Sequence, residues 1–412
     1  MEVINHNIGL PRQGLATPAP ILKTLTFTTL FPNPRQPVHG IFVANRLQHL
    51  IATGRVETQI VAPVPWFPID HPRFGVYARF AAVPPLEKRF DSAVFHPRYL
   101  VIPKVGMELA PLLLYLGARR IIAEILQRGF DFDLIDAHYF YPDGVAAILL
   151  GREFGKPVSI TARGTDINQI SNYWLPRRMI RWAAREASAV VTVCQALKDR
   201  FVELGVSADR IQVLRNGVDL VVFRPQDRAA LRAKWGLSGH VILSVGHLIK
   251  RKGHEIAIDA LATLKGASLL IAGDGPERAS LVRHCDRLGL AHRVRFLGQV
   301  APSVLAELYA ASDVLVLASS HEGWANVLLE AMACGTPVVA SNVWGTPEVV
   351  AAPEAGLLVK ERTGPAFATA LARILDHPPD RAATRAYAER FSWDATTAGQ
   401  LESFNRIRAR AR

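Results

Sequence analysis

Two carboxylates, Glu322 and Glu330, lie in the stretch Ser312 to Ser341, and their setting defines the chemistry they can do. Val314 to Leu317 is a short apolar run of the kind that forms a buried parallel strand. The polar turn Ser319-Ser320-His321-Glu322-Gly323 follows it. Ala325 to Met332 then recurs at helical spacing, and Gly335-Thr336-Pro337 stops the helix before a second apolar run, Val338 to Ala340. In such a strand–loop–helix–strand unit, ligands sit at the carboxyl ends of the strands. Glu322 falls in the loop, and Glu330 falls roughly 12 Å deeper along the helix at ~1.5 Å per residue. The backbone N–H groups of Gly323, Trp324, Ala325 and Asn326 are expected to point out of the helix's first turn, where an anion is favoured. An anion seat flanked by two hydroxyl-binding acids suits a nucleotide-diphosphate sugar. The plainer reading is an ordinary βα unit with one solvated acid and one acid at the core edge.

Other residues with chemical potential also stand at strand ends. Asp133-Leu134-Ile135-Asp136-Ala137-His138 reads as a strand that ends on a histidine. There a neutral imidazole can donate to a sugar hydroxyl or a phosphate, or can simply be a satisfied structural group. The strand Val158 to Thr161 runs into Ala162-Arg163-Gly164-Thr165-Asp166, where Asp166 either orients an acceptor hydroxyl or caps the next helix. Val241 to Val245 leads into Gly246-His247-Leu248-Ile249-Lys250-Arg251-Lys252-Gly253. A buried strand followed by a glycine–basic–glycine loop and a helix makes a phosphate cradle, although the glycine-lysine-serine/threonine ending of a Walker loop is missing. Gly40, between the first strand and the first helix, lets backbone approach a ligand closely or simply makes a turn. Gly273-Asp274-Gly275-Pro276 is a tight turn after the strand Ser268 to Ala272.

Taken in order, these motifs resemble the retaining GT-B glycosyltransferases often called family 4, or glycosyl transferases group 1. Glu322-Gly323-x-x-Asn326-x-x-x-Glu330 resembles their E-x7-E element, and Asp133 to Gly144 is similar to their donor-side histidine segment. Arg163-Gly164-x-Asp166 stands where the family usually has histidine-glycine-x-aspartate. Lys252 matches the family lysine, but His247 stands where arginine is usual. Arg215-Asn216-Gly217-Val218-Asp219 matches the junction between the family's halves.

The resemblance implies a GT-B architecture: α/β, two doubly wound Rossmann-like parallel-sheet domains with a deep cleft between them. It implies sugar transfer from a nucleotide-diphosphate sugar to a polysaccharide or lipid-linked acceptor, with retained anomeric configuration. His138, Glu322 and Lys252 would be catalytic. Gly40, His247, Lys252, Gly273, Asp274, Gly323, Trp324, Ala325, Asn326 and Glu330 would bind the donor, and Arg163 and Asp166 would lie on the acceptor side. No metal is expected, since no histidine cluster occurs and Lys252 with the helix N-terminus can neutralise phosphate. No cofactor is expected either, the nucleotide sugar being substrate. A GT-B nucleotide-sugar epimerase is the rival reading, whereas no pyridoxal lysine suggests a phosphorylase.

The elements that must position these residues alternate strand and helix throughout, as two parallel-sheet domains require. The expected division is a loose leader over residues 1–20, an acceptor-side domain over 21–218, a nucleotide-sugar domain over 219–380, and C-terminal helical residues 381–412 that cross back. Pro63 to Arg98 reads as irregular and is assigned to the acceptor side. The chain has 412 residues, half of them apolar, so two or three domains with large cores are expected.

The net charge of +12 points to an anionic partner. Nucleic acid is not expected, because Lys250, Arg251 and Lys252 serve a βα loop and are not interleaved with aromatics on one surface. In the helix Pro176 to Ala187, Leu175, Met179, Ile180, Ala183 and Ala187 share one face while Arg177, Arg178, Arg181 and Arg185 share the other. That pattern, beside Tyr173, Trp174 and Trp182, suits an anionic membrane surface, or a helix packed on its sheet with solvated arginines. Cys194, Cys285 and Cys334 form no C-x-x-C pair and fit a reducing cytosol. No run is long and apolar enough to span a bilayer. The expected location is cytoplasmic, peripheral on the inner membrane face if the basic helix meets lipid.

Overall fold

In the computed structural model, which describes residues 21–66, 71, 80–101 and 106–411, the apolar runs become strands buried on both faces by flanking helices. The leader expected over residues 1–20 lies outside the described residues. The first half contributes β1 (Leu22–Phe27), β2 (Val56–Val61), β3 (Val64–Pro65), β4 (Leu86–Arg89), β5 (Ser92–Phe95), β6 (Arg98–Tyr99), β7 (Leu134–His138), β8 (Val158–Ala162), β9 (Ala189–Thr192) and β10 (Ile211–Val213). Eight of these form a sheet in the order β10-β9-β8-β7-β1-β2-β5-β4, and β3 pairs with β6. All its pairings are parallel except β4 with β5. The second half contributes β11 (His240–Val245), β12 (Ala267–Ala272), β13 (Val294–Gly298), β14 (Val314–Leu317), β15 (Val338–Ser341) and β16 (Gly356–Val359). These form an all-parallel sheet in the order β13-β12-β11-β14-β15-β16.

Each sheet reverses its strand order once, between β1 and β7 and between β11 and β14. Crossover helices leave in opposite directions there, so a crevice opens at the carboxyl ends. His138 ends β7, and the loop carrying Glu322 follows β14. The fold class is therefore the doubly wound pair of parallel sheets expected from the alternation of elements.

One expectation about regular structure needs correction. Pro63 to Arg98 is not simply irregular, because β4 and β5 form an antiparallel hairpin that extends the first sheet. Leu86-Glu87-Lys88-Arg89 hides this strand: it lies at the sheet edge, where charged side chains discourage pairing with other chains. The C-terminal helical residues expected over 381–412 are two helices, Arg381–Glu389 and Trp393–Ala411. The break follows from packing, with Phe391 set against Trp324 and Tyr387.

The last helix lies on the helix Ile41–Ala52, where Leu401, Phe404 and Ile407 share a core cluster with Val43, Leu47 and Leu50. Arg46 is buried there, 2% exposed. Its Nε donates to Gln400 Oε1 at 2.8 Å and an Nη donates to the Leu214 carbonyl at 3.2 Å. Gln400 in turn donates to Asp136 Oδ2 at 2.9 Å. Replacing Gln400 with leucine therefore strands a buried guanidinium and removes a donor from a buried carboxylate. The expected loss is about 1–3 kcal/mol for each group left unsatisfied. Urea unfolding of Gln400→Leu beside the parent measures it, and equal midpoints would show that the network contributes nothing.

Candidate functional site

The carboxyl end of β14 assembles the acidic and basic groups of the second half. Lys252 Nζ donates to Glu322 Oε1 at 2.6 Å, and Ser319 Oγ donates to the same oxygen at 2.6 Å. Glu322 is 6% exposed. Burial works against its charge, but Lys252, Ser319 and Arg251 together hold its carboxyl below the usual range. Arg251 also braces this loop, donating to the His321 carbonyl at 2.8 Å and accepting at its own carbonyl from the Ser320 amide at 2.8 Å. His247 and Lys250 are exposed beside it. Beneath the loop, His254 is buried with Nδ1 2.9 Å from Ser244 Oγ. Burial, reinforced by the Lys252 charge, pushes its pKa down to about 4.

The helix carrying Glu330 begins at Asn326, not at Ala325. Its first amide donates to the Trp324 carbonyl at 3.1 Å, which interrupts the row of free amides expected from Gly323 to Asn326. Glu330 accepts from the Tyr309 hydroxyl at 3.1 Å, and burial raises its pKa to about 7 against that hydrogen bond. Trp324 turns inward, 7% exposed, and donates from Nε1 to the Asn216 carbonyl at 3.0 Å. Its indole is thus committed to the junction, and Ala325 is buried beside it. The turn at Gly273 and Asp274 braces the β11 loop, the Leu248 amide donating to the Asp274 carbonyl at 3.0 Å, while the Asp274 side chain is exposed.

In the first half, Gly40 precedes its helix in the left-handed region at φ 63°, and a Cβ there would lie 2.2 Å from the Leu30 backbone. Only glycine accommodates both. His138 is 1% exposed and both ring nitrogens are engaged. Arg163 donates to Nδ1 at 2.7 Å, so Nδ1 must be the acceptor, and Nε2 carries the proton toward Asp136 Oδ2 at 3.2 Å. Burial pushes the His138 pKa down to about 4 against the Asp136 charge, with Arg163 adding to the depression. This corrects the expectation of a histidine free to donate to sugar or phosphate. The cause is the arginine at 163, long enough to reach across the strand ends.

Asp166 is also corrected. It is fully buried, and its carboxylate accepts from the backbone N–H groups of Phe140 at 2.6 Å, Gly164 at 2.7 Å and Arg163 at 3.1 Å. It neither caps the helix Thr165–Asn168 nor faces an acceptor; it ties the β7 and β8 loops together. Asp143 does the same for the β1 loop, accepting from the Thr29 amide at 2.6 Å.

The two halves meet at these loops. A Cβ on Gly323 would lie 2.2 Å from the Arg163 carbonyl, so backbone rests on backbone. Arg163 continues from His138 to Asn216 Oδ1 at 3.1 Å, and Asn216 donates to Asn326 Oδ1 at 3.3 Å. Arg163 and Asn216 thus link the predicted histidine to the predicted helix. On the rear side, Glu348 accepts from the Ala196 amide at 3.1 Å and from Arg215 at 2.7 Å. Tyr309, Ser319 and Glu348 carry no motif signal, and only the placement of their elements reveals them. Among the described residues no three His, Cys, Asp or Glu side chains converge as a metal-ligand set, so none is assigned to a metal.

The basic helix spans Trp174–Glu186. Its apolar stripe is used up in the core, with Ile180, Ala183 and Ala184 fully buried. Facing outward are Trp174, 67% exposed, Tyr173, 57% exposed, and the four arginines. Among the described residues no helix is long and apolar enough to cross a membrane.

Solved structures share this architecture. Sucrose-phosphate synthase from Thermosynechococcus elongatus superposes with a TM-score of 0.76 at 20% identity, covering 95% of this chain and 100% of that one. HepE from Anabaena in complex with UDP-glucose gives 0.70 at 21% identity over 93% and 99%. The two sheets and the cleft between them define a GT-B fold. The glycosyl transferases group 1 model matches residues 227–391, and the glycosyltransferase family 4 model matches residues 73–222. The two halves of the chain thus match glycosyltransferase family models, the second half that of group 1 and the first that of family 4. The D-inositol 3-phosphate glycosyltransferase of Rhodococcus jostii is 38% identical over 218 residues, 48% of each chain. The N-acetyl-alpha-D-glucosaminyl L-malate synthase of Bacillus anthracis is 32% identical over 252 residues, 59% of this chain and 65% of that one. The chain thus spans about half the length of the first of these curated relatives.

The buried histidines give a test with a definite sign. His138 and His254 have folded pKa values near 4, below the ~6.5 of an unfolded chain. The stability this contributes is complete above pH 6.5 and is lost as pH falls from there toward 4. Imidazole nitrogen shifts should show both rings neutral at pH 5.5. Half-protonation of either near 6.5 would contradict the burial.

Proposed function

We propose that the chain transfers a sugar from a nucleotide-diphosphate sugar to a hydroxyl of a glycan or lipid-linked acceptor, with retention of configuration and without a metal. The observation that carries this reading is the Lys252–Glu322 pair at the end of β14, on the loop that leads into the helix bearing Glu330. Lys252 places positive charge where the leaving diphosphate gathers negative charge, and preorganised charge of this kind lowers the barrier. Glu322, held ionised, serves the sugar side, and Glu330, deeper along its helix, takes a nucleotide hydroxyl. As the sugar–diphosphate bond breaks and the bond to the acceptor oxygen forms, the acceptor's proton passes to the leaving diphosphate. His138 stays neutral throughout and holds Arg163.

Two relatives are named for sugar transfer to small acceptors, and the HepE structure holds UDP-glucose. These names favour nucleotide-sugar chemistry here. A lipid-linked acceptor at the inner face of a membrane, in envelope polysaccharide assembly, is favoured by the outward Tyr173 and Trp174 and the arginines around them. Replacing Arg177, Arg178, Arg181 and Arg185 with glutamine should then reduce sedimentation with anionic vesicles, each basic residue near such a surface being worth about 1 kcal/mol. Equal sedimentation would leave the helix as a solvated face.

The reaction itself is tested by incubating the protein with a panel of nucleotide sugars and acceptors and reading the product anomer by NMR. An inverted anomer refutes retention, and nucleotide-sugar isomerisation without an acceptor would favour an epimerase. Glu330 supplies a second test. With its carboxyl titrating near pH 7, a nucleotide hydroxyl that donates to it must bind the ionised form. Affinity should therefore rise as pH rises through 7, and Glu330→Gln should remove that slope and weaken binding by about 1.5–3 kcal/mol. Calorimetry with nucleoside diphosphates from pH 6 to 8 measures both, and an unchanged slope in Glu330→Gln would exclude the contact.

A further inference from the structure

Charge around the loop after β14 is unbalanced in a way that the expected donor residues do not explain. Lys252 is neutralised by Glu322 at 2.6 Å. Arg251 is fixed to the same loop through the His321 carbonyl at 2.8 Å and feels the Glu322 charge, but makes no salt bridge of its own among the described residues. A third cation arrives from elsewhere in the chain. Arg362 lies just beyond β16, and its Nε donates to the Ala318 carbonyl at 3.0 Å. Ala318 immediately follows β14, which is separated from β16 by β15. At about 4.8 Å per strand, the side chain must cross the end of β15 to reach it.

Only Nε is spent on that carbonyl. Among the described residues the two terminal nitrogens of Arg362 take no acceptor, and the side chain is half-buried. The Ala318 carbonyl is also where Gly253 rests, a Cβ there falling 2.2 Å away, so Arg362 stands beside the loop that carries Lys252. His321 senses both arginines: burial first, and then the charges of Arg251 and Arg362, lower its pKa. Lys252, Arg251 and Arg362 therefore ring the end of β14, and one carboxylate, Glu322, offsets them. An anion of more than one charge, with oxygens spaced to meet separate cations, completes such a set.

We propose that Arg362 supplies the second cation of the diphosphate-binding site, in place of the arginine that the loop after β11 lacks at His247. This rests on the reading of the cleft as a nucleotide-diphosphate site. An arginine suits the position, because one N–H can anchor the side chain to a carbonyl while the rest of the planar fork faces the ligand. Lysine offers its three donors from one nitrogen and lacks that spread, planar fork.

The experiment is calorimetry with UDP, GDP and ADP, followed by the tightest binder and its matching nucleoside monophosphate. The proteins are the parent, Arg362→Ala, His247→Arg and the double variant. Arg362→Ala should weaken the diphosphate by about tenfold to a hundredfold, the range of one charge-assisted hydrogen bond, and the monophosphate by less than about threefold. His247→Arg should restore most of the loss in the double variant, which a merely structural injury could not allow. Equal losses for the two nucleotides, or no rescue by His247→Arg, would overturn the assignment to Arg362 while leaving the nucleotide site intact. A parent that binds none of the three diphosphates would overturn both readings.

Discussion

A single line of largely buried hydrogen bonds joins the carboxyl ends of the first sheet to the second half of this protein. It starts at Gln400 in the last helix and passes through Asp136, His138, Arg163 and Asn216 to Asn326, at the head of the helix that carries Glu330. Burying a charge is costly unless it is partnered, and each member of this line is the partner that makes its neighbour tolerable. Even so, Asp136 Oδ1 and Arg163 Nε are buried without partners among the described residues. The line therefore carries little slack. It crosses from the first sheet to the second within side-chain reach of the crevice, which makes the relative position of the two halves a question of polar geometry as well as apolar burial.

The same contest between burial and partnership sorts the carboxylates into different roles. Glu322 has a lysine against it and is held ionised. Glu330 has only a tyrosine hydroxyl and is pushed to about 7. Asp166 is buried yet spends its oxygens on three backbone amides, and its pKa is raised by burial. One functional group, the carboxylate, in three surroundings thus yields a fixed anion, a group poised near neutrality, and a loop fastener. Proximity to the crevice alone would not have told them apart.

Much of this was legible in the chain. The β-branched runs of β7, β8, β11 and β14, each closed by a polar loop, place His138, the Arg163 loop, Lys252 and Glu322 at carboxyl ends on sequence pattern alone. What could not be read is which side chains meet. The bond from Arg163 to His138 depends on side-chain length across adjacent strand ends, so that substituting arginine for a shorter residue turns a ligand candidate into an anchored group. Arg362 sits in an ordinary loop after β16, and nothing in its neighbourhood signals that it reaches β14. The β4 strand was masked because its edge position selects charged residues in place of an apolar pattern, and the break at Phe391 because no glycine or proline marks it.

The crossing of the last helix also bears on how the molecule is made. Arg46 and Gln400 are separated by 354 positions yet are direct hydrogen-bond partners. During synthesis the first sheet emerges long before Gln400 exists, so Arg46 and Asp136 lack that partner while the whole second half is translated. Loop closure over such a span is entropically costly and slow to find. The apolar face of Val43, Leu47 and Leu50 stays uncovered over the same interval, and nascent chains in that state are open to aggregation or chaperone capture. The helix Trp393–Ala411 therefore acts as the closing clasp of a domain whose first strand, Leu22–Phe27, was made more than three hundred and fifty residues earlier.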